Sequence, residues 1–196
     1  MLSVGGVKLN AYDVMKQWKI LRTDSAFDNK WCKVQRHTVE LPTGKILDDY
    51  YVNVRPDVVL IFPITSDGNV IMVRQYKHGV METLLEFPGG VIDSQEEHPI
   101  TAAERELREE TGYFSSRMEE LSFVYDNPTK DTNKIFFFLA QDVEKIHDTE
   151  FDSTEDIETV KIQISEIPEL IKNQKITVAG SIALYFTALM HLNLGA

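Results

Sequence analysis

Cysteine is almost missing from the sequence: Cys32 stands alone, so no internal disulfide can form, and a reducing cytosol is the expected compartment. A basic start followed by an apolar run is also missing from "MLSVGGVKLNAYDV", which therefore does not read as a secretory leader. Long hydrophobic runs are scarce. The one apolar stretch near the C-terminus, "TVAGSIALYFTALMHLNLG", is broken by Gly180, Thr187, His191 and Asn193, and is expected to be a packed helix and not a membrane span. Positive charge is the scarcer sign, with 20 Lys and Arg against 31 Asp and Glu and a formal net charge of −11. Nucleic-acid affinity depends on clustered cations, so no nucleic-acid partner is expected. A small phosphorylated ligand stays open, because a divalent cation inverts the sign of a local acidic site.

What is present in 196 residues, 43% of them apolar, suffices for one globular core with a small appended layer. Repeats and low-complexity tracts are absent. "WCKVQRHTVELPTGKILDDYYVNV" reads as a hairpin turning at Pro42-Thr43-Gly44. "DVVLIFPI" and "VIMVRQY" flank Asp67-Gly68, a second hairpin signal between near-continuous apolar strands, which are expected to be central. Beyond "LLEFPGGVID" the pattern predicts a helix from about Pro99 to Thr111, strands at "LSFVYDN" and "KIFFFLA", an acidic loop from Asp142 to Glu158, a strand "ETVKIQI" and two closing helices. Strands, helix, strands and helices in that order predict a mixed sheet with helices on its faces, an α/β fold of the mixed α+β kind.

The segment "RELREETGY" poses the main physical problem. It gathers Glu106, Glu109 and Glu110 into the end of a helix closed by Gly112, where the helix dipole disfavours negative charge. On a wheel, Ile100, Ala103, Leu107 and Thr111 form the buried stripe, with Glu106 and Glu110 beside it and Glu109 nearly opposite. Two carboxylates about 6 Å apart repel by roughly 3 kcal/mol at an effective dielectric of about 20. Either the face is solvated, with Glu104–Arg108 and Arg105–Glu109 as ordinary i,i+4 pairs, or the carboxylates gather around a hard cation. The upstream glycines Gly89 and Gly90 are compatible with the second reading, since a main chain without side chains can approach a ligand closely, with a plain turn as their alternative.

The string "EFPGGVIDSQEEHPITAAERELREETGY" resembles the signature of the Nudix hydrolase family, whose tail of Arg, Glu, apolar, any, Glu, Glu, any, Gly, apolar is complete from Arg105 to Tyr113. The spacing departs from the family in one respect. Arg105 lies fifteen positions beyond Gly90, one more than expected, so either Glu96 or Glu97 fills the structural role in the loop, with Glu97 favoured by the helix-side spacing. "VRQYKHG", "LLEFPGG" and "FFFLA" are similar to the ADP-ribose pyrophosphatase branch over roughly Trp18 to the C-terminal helix, and Pro128 matches a proline found past the motif in that branch.

The resemblance implies a Nudix α-β-α sandwich over 56–196 and an N-terminal antiparallel β layer over 1–55 that dimerises, giving a homodimer. It implies hydrolysis of the pyrophosphate bond of ADP-ribose or a related nucleoside diphosphate sugar. Alternatives are another nucleoside diphosphate derivative or a non-catalytic nucleotide-binding regulatory module. It further implies Mg²⁺, or Mn²⁺, held by Glu106, Glu110 and the Gly89 carbonyl. Glu109 would be an added ligand or water partner, and Arg105 would orient a ligand carboxylate through bidentate hydrogen bonds. The proton acceptor is expected in the acidic loop, at Glu155 ahead of Glu158 and Asp152. Trp31 matches an adenine-stacking aromatic, with a strand-core role as its alternative; Arg55 and Lys77 match phosphate-facing cations, with strand-end surface charge as theirs.

Overall fold

The computed structural model describes residues 3–4, 7–8, 16–93, 96–146 and 157–193. The chain divides into two units, Met1–Arg55 with Thr129–Thr132, and Pro56–Pro128 with Asn133–Ala196. In the first, β1 (Ser3–Val4) pairs with β2 (Val7–Lys8), and β3 (Lys19–Asp28), β4 (Lys33–Glu40) and β5 (Ile46–Asn53) form an antiparallel sheet in that order. The β4–β5 turn works as the sequence predicts: Gly44 takes φ 82° and its N–H donates to the Leu41 carbonyl at 2.8 Å. The segment Thr129–Thr132 is tied to this sheet by the Tyr50 hydroxyl, which donates to the Thr129 carbonyl at 2.6 Å, and by Asn53, which donates to Asp131 at 2.7 Å.

The second unit contains β6 (Val58–Ile64), β7 (Asn69–Lys77), β8 (Glu82–Glu86), α1 (Pro99–Thr111), β9 (Tyr113–Phe114), β10 (Arg117–Val124), β11 (Ile135–Gln141), β12 (Glu144–Lys145), β13 (Ile157–Gln163), a 3₁₀ turn (Ile164–Glu166), α2 (Ile167–Lys172) and α3 (Ala179–His191). Its main sheet runs β10-β11-β6-β7-β13, with β8 also on β7. β6 and β11 are parallel over seven residue pairs and the other pairings are antiparallel. Both faces are covered, which explains the unbroken apolar sequence of β6 and β11. Val59, Ile61, Phe138 and Ala140 join Ala102, Ala103 and Leu107 of α1 in one core, whereas Phe62, Phe137 and Leu139 join Ile167, Leu184 and Ala188 of α2 and α3 in the other. The mixed sheet is thus a sandwich between α1 and the α2–α3 pair. Among the described residues no helix is long and apolar enough to cross a membrane.

One irregularity positions everything that follows. β6 and β7 turn tightly at Asp67-Gly68 but share a single ladder pair, Ile64 with Val70, and then diverge. The chain from 82 to 91 enters that gap, pairing first with β7 from Lys77–Glu82 to Val73–Glu86 and then with β6, where Ile61 N donates to Pro88 O and Val59 N to Gly90 O, both at 2.9 Å. The glycine pair is therefore a strand-like insert in the centre of the sheet.

The turn that starts the divergence is fixed by Asp67, whose carboxyl is held down to a pKa of about 2 by the hydroxyl of Thr65, the side chain of Asn69 and the charge of Lys161. A depressed carboxylate contributes stability that is present above its unfolded pKa and lost as pH falls through the folded one. Urea midpoints of wild type and Asp67→Asn are thus expected to differ at neutral pH and to converge as pH falls from about 4 towards about 2.

Candidate metal and diphosphate site

Helix α1 begins at His98, whose side chain accepts from Ile100 N, with Pro99 in the first helical position where its missing N–H costs nothing. It ends at Gly112, which adopts φ 73° and donates to the Arg108 carbonyl. Ala102, Ala103, Leu107 and Thr111 are buried against the sheet, and the two small alanines let the helix lie close to it. The expected stripe shifts slightly: Ile100 is only half-buried, and Glu110, placed at the edge by the wheel, is inside at 7% exposure.

Glu110 is tolerated there because Gly89 N donates to its Oε2 at 2.9 Å. Glu106, one turn earlier, lies against Gly90 so closely that a Cβ on Gly90 would overlap its carboxylate. The backbone of Gly90 is outside the left-handed region, so glycine is required here by the approach of Glu106 and not by φ. Gly89 is also tight, since its Cβ would strike the Val59 carbonyl. In a strand-like segment the N–H and C=O of one residue point the same way and alternate along the chain. Pro88 and Gly90 turn their carbonyls to β6, whereas the Gly89 N–H is turned to Glu110.

Arg105 gathers the remaining acids. Its Nε donates to Glu97 at 3.1 Å, Nη1 to Glu106 at 2.7 Å and Glu109 at 3.3 Å, and Nη2 to the Val91 carbonyl at 2.9 Å and Glu97 at 3.4 Å, with Asp93 at 3.6 Å. Burial would lower its pKa, but the hydrogen bonds to Glu97 and Glu106 outweigh that and raise it. The Arg105 hydrogen bond likewise holds the Glu97 carboxyl below its ordinary range, and Glu97 also accepts from Asp93 N at 2.8 Å. The bidentate fork expected on Glu106 or Glu110 is therefore formed with Glu97, and Glu106 receives a single bond. The fork geometry also gives Glu97 the loop-to-helix role for which Glu96 was the alternative.

The other expected residues are distributed more widely. Glu155 and Asp152 lie outside the described residues, and Glu158 pairs with Arg74 at 2.6 Å on the β13–β7 ladder. Lys77 is on the same sheet face as Ile71 of the α1-side core by its two-residue spacing along β7, and its ammonium contacts Glu86 at 2.6 Å and Gln75 at 2.5 Å. Glu86, a partly buried anchor, was not singled out from the sequence, although it directly precedes Phe87-Pro88-Gly89-Gly90. Arg55, in the N-terminal unit, pairs with Asp131 at 3.2 Å. Trp31 is 85% exposed with the Lys30 ammonium 4.4 Å from a ring centroid, which overturns the strand-core alternative. Pro128 is exposed in the turn after β10.

Among the described residues no group of three or more His, Cys, Asp or Glu side chains is gathered as a metal cage. The residues nevertheless fit a hard cation in kind: two carboxylates on one helix face, the backbone of Gly89 bonded to one of them, and a glycine cleared for the carboxylate of Glu106. Such a set leaves coordination positions for a diphosphate.

The chain is similar to known proteins over most of its length. The NUDIX domain model matches residues 54–179, and the model for the nucleoside diphosphate sugar hydrolase N-terminal domain matches residues 18–53. An ADP-ribose pyrophosphatase of Bacillus subtilis (strain 168) is 28% identical over 159 residues, covering 81% of this chain and 85% of its own length. A methanol dehydrogenase activator of Bacillus methanolicus is 29% identical over 159 residues with the same two coverages. A crystal structure of an ADP compounds hydrolase superposes with a TM-score of 0.81 at 24% identity, over 92% of this chain and 98% of that one, which shows the shared fold.

Gly90→Ala isolates the clearance. The variant is expected to fold with an unchanged circular dichroism spectrum while Mn²⁺ affinity by calorimetric titration falls roughly tenfold or more, as when a ligand's support is removed. Unchanged affinity would show that Glu106 does not need its place against Gly90.

Proposed function

Since the chain belongs to the NUDIX domain family and is a hydrolase, we propose that it cleaves the pyrophosphate bond of ADP-ribose or a related nucleoside diphosphate sugar with Mg²⁺, or Mn²⁺, as cofactor. The products are a nucleoside monophosphate and a sugar phosphate. The observation that carries this reading is the convergence of Glu106 and the buried Glu110 on Gly89 and Gly90 in the opened centre of the sheet. The similarity to the ADP-ribose pyrophosphatase and the match to the nucleoside diphosphate sugar hydrolase N-terminal domain support the choice of substrate.

When bound, a divalent ion supplies charge neutralisation on the phosphates and acidifies water. The chain supplies its holders, Glu106, Glu110 and the Gly89 carbonyl, with Glu109 beside them. Arg105 holds Glu106 in one orientation and fixes the loop over it through Glu97. Hydrolysis adds the oxygen of water to one phosphorus, breaks the bridging P–O bond and requires a group to take the water's proton. We assign that role to Glu155, because Glu158 is paired with Arg74. Trp31, Arg55, Lys77 and Pro128 are the candidate substrate contacts. Lys77 offers a point charge and not a planar fork, so it can meet a phosphate oxygen but cannot clasp it bidentately.

The N-terminal strands leave Trp18, Ile20, Leu21, Phe27, Ile46 and Tyr51 exposed, and this surface supports their assignment as a dimerisation layer. The single cysteine supports a cytoplasmic location.

Two outcomes follow. In a panel of ADP-ribose, ADP-glucose, GDP-mannose, NADH and dinucleoside polyphosphates, Mg²⁺-dependent monophosphate release is expected on at least one compound, with Glu110→Gln slower by about 10²- to 10³-fold; a variant as active as wild type would remove Glu110 from the site. Light scattering at micromolar concentration is expected to give twice the chain mass, and a monomer mass would remove the dimer.

A further inference from the structure

The α1 face of the sheet carries an aromatic surface that none of these roles uses. One row of residues crosses four neighbouring segments at the level of the glycine pair. Val59 N bonds to Gly90 O, Val59 is in register with Phe136, and Phe136 is in register with Phe123. The row faces α1 along its length: a Cβ on Gly90 would strike Glu106, Val59 belongs to the α1-side core, and Phe136 packs against that core. Phe123 lies opposite Phe136, their ring centroids 6.1 Å apart. All four residues belong to the unit that carries Glu106 and Glu110.

The row begins beneath Glu106 and ends in solvent. Phe123 is 46% and Tyr125 51% exposed, and the two rings form an edge-on pair at 5.7 Å. Strands are about 4.8 Å apart, which puts Phe136 and Phe123 about 10 and 14 Å from Gly90, the scale of a nucleoside carried on a phosphate. The Lys134 ammonium lies 4.8 Å from the Phe123 centroid and 6.0 Å from that of Phe136. Aromatic faces beside a cation are suited to hold a base next to its phosphate.

We propose that Phe123, Tyr125 and Phe136, with Lys134, form a stacking platform for a planar heterocycle of the substrate, joined through its sugar to the diphosphate held at Gly89 and Glu110. The proposal deepens the hydrolase reading and rests on it only for where the phosphates lie. Two sources share this chemistry, the adenine of ADP-ribose and, in a dinucleotide such as NADH, the nicotinamide of the opposite half, and the experiment separates them.

The test is equilibrium binding to the full chain by titration calorimetry, using AMP, nicotinamide mononucleotide and, as a ring-free control, ribose 5-phosphate. Phe123→Ala is expected to weaken one mononucleotide by roughly tenfold or more while leaving ribose 5-phosphate unchanged, with Phe123→Tyr restoring the affinity. A loss for AMP assigns the adenine, and a loss for nicotinamide mononucleotide assigns the opposite ring. Equal affinities for wild type and Phe123→Ala, no binding of either mononucleotide, or an equal loss for ribose 5-phosphate would each overturn the platform. Tyr125→Ala provides a second variant at an exposed ring should Phe123→Ala melt early. Binding needs no turnover, so a Phe123-dependent affinity in a protein that hydrolyses nothing would sink the hydrolase reading and leave the platform standing.

Discussion

Arg105 is the constraint on which the site depends. A guanidinium has five N–H groups, and here each finds an acceptor on Glu97, Glu106, Glu109 or the Val91 carbonyl. These acceptors come from the loop before α1 and from its third turn, so one side chain fixes the loop, the helix and the entry of the chain from the sheet. It also answers the electrostatic problem of acids near a helix C-terminus. The repulsion between Glu106 and its neighbours is offset by a largely buried cation, and Glu110 is stabilised separately by a backbone N–H. Loss of Arg105 would leave several partly buried carboxylates uncompensated, which costs far more than a surface ion pair contributes.

The second constraint is the parting of β6 from β7. A regular hairpin would have used the inner hydrogen-bonding groups of both strands, whereas here one ladder pair is made and the chain around Phe87-Pro88-Gly89-Gly90 takes up the rest. The insert brings backbone groups to the face where α1 packs, and glycine at 89 and 90 is demanded by the Val59 carbonyl and the Glu106 carboxylate respectively. The divergence and the helix are thus parts of one device: the sheet opens where the carboxylates need main-chain partners.

Much of this was legible in the sequence because it is local. The α1 boundaries follow from Pro99, the apolar period and Gly112, and the turns at Gly44 and Gly68 follow from residue types that accept positive φ. The mixed sheet follows from the order of strands and helices, and the central place of β6 and β7 from their near-continuous apolar sequences. What stayed hidden depends on partners distant in sequence. The choice between Glu96 and Glu97 turns on which one reaches Arg105, a matter of loop path and not of spacing. The resemblance implies a fork on a ligand carboxylate, but the planar group reaches Glu97 with two nitrogens and Glu106 with one. Trp31 could be read as core or as exposed, since aromatic character alone does not say which side of a strand end meets solvent. Glu86, the anchor for Lys77, is visible only once β8 is placed beside β7. Glu155 and Asp152 fall outside the described residues.

An acidic chain that binds a diphosphate must meet the ligand's charge from a small supply of cations. The donors of Arg105 are spent on carboxylates and a carbonyl, and Lys77 shares its charge with Glu86, which leaves only part of it for a phosphate oxygen. In the proposed reading the acids around Arg105 would hold a divalent ion that carries the phosphate, and Lys134 adds a cation close to the rings at the far end of the same row. Charge and stacking are then divided along one line of the sheet, with the phosphates near the glycine pair and a flat ring at the edge strand. On that reading a protein of net charge −11 would meet a polyanion through a bound divalent cation.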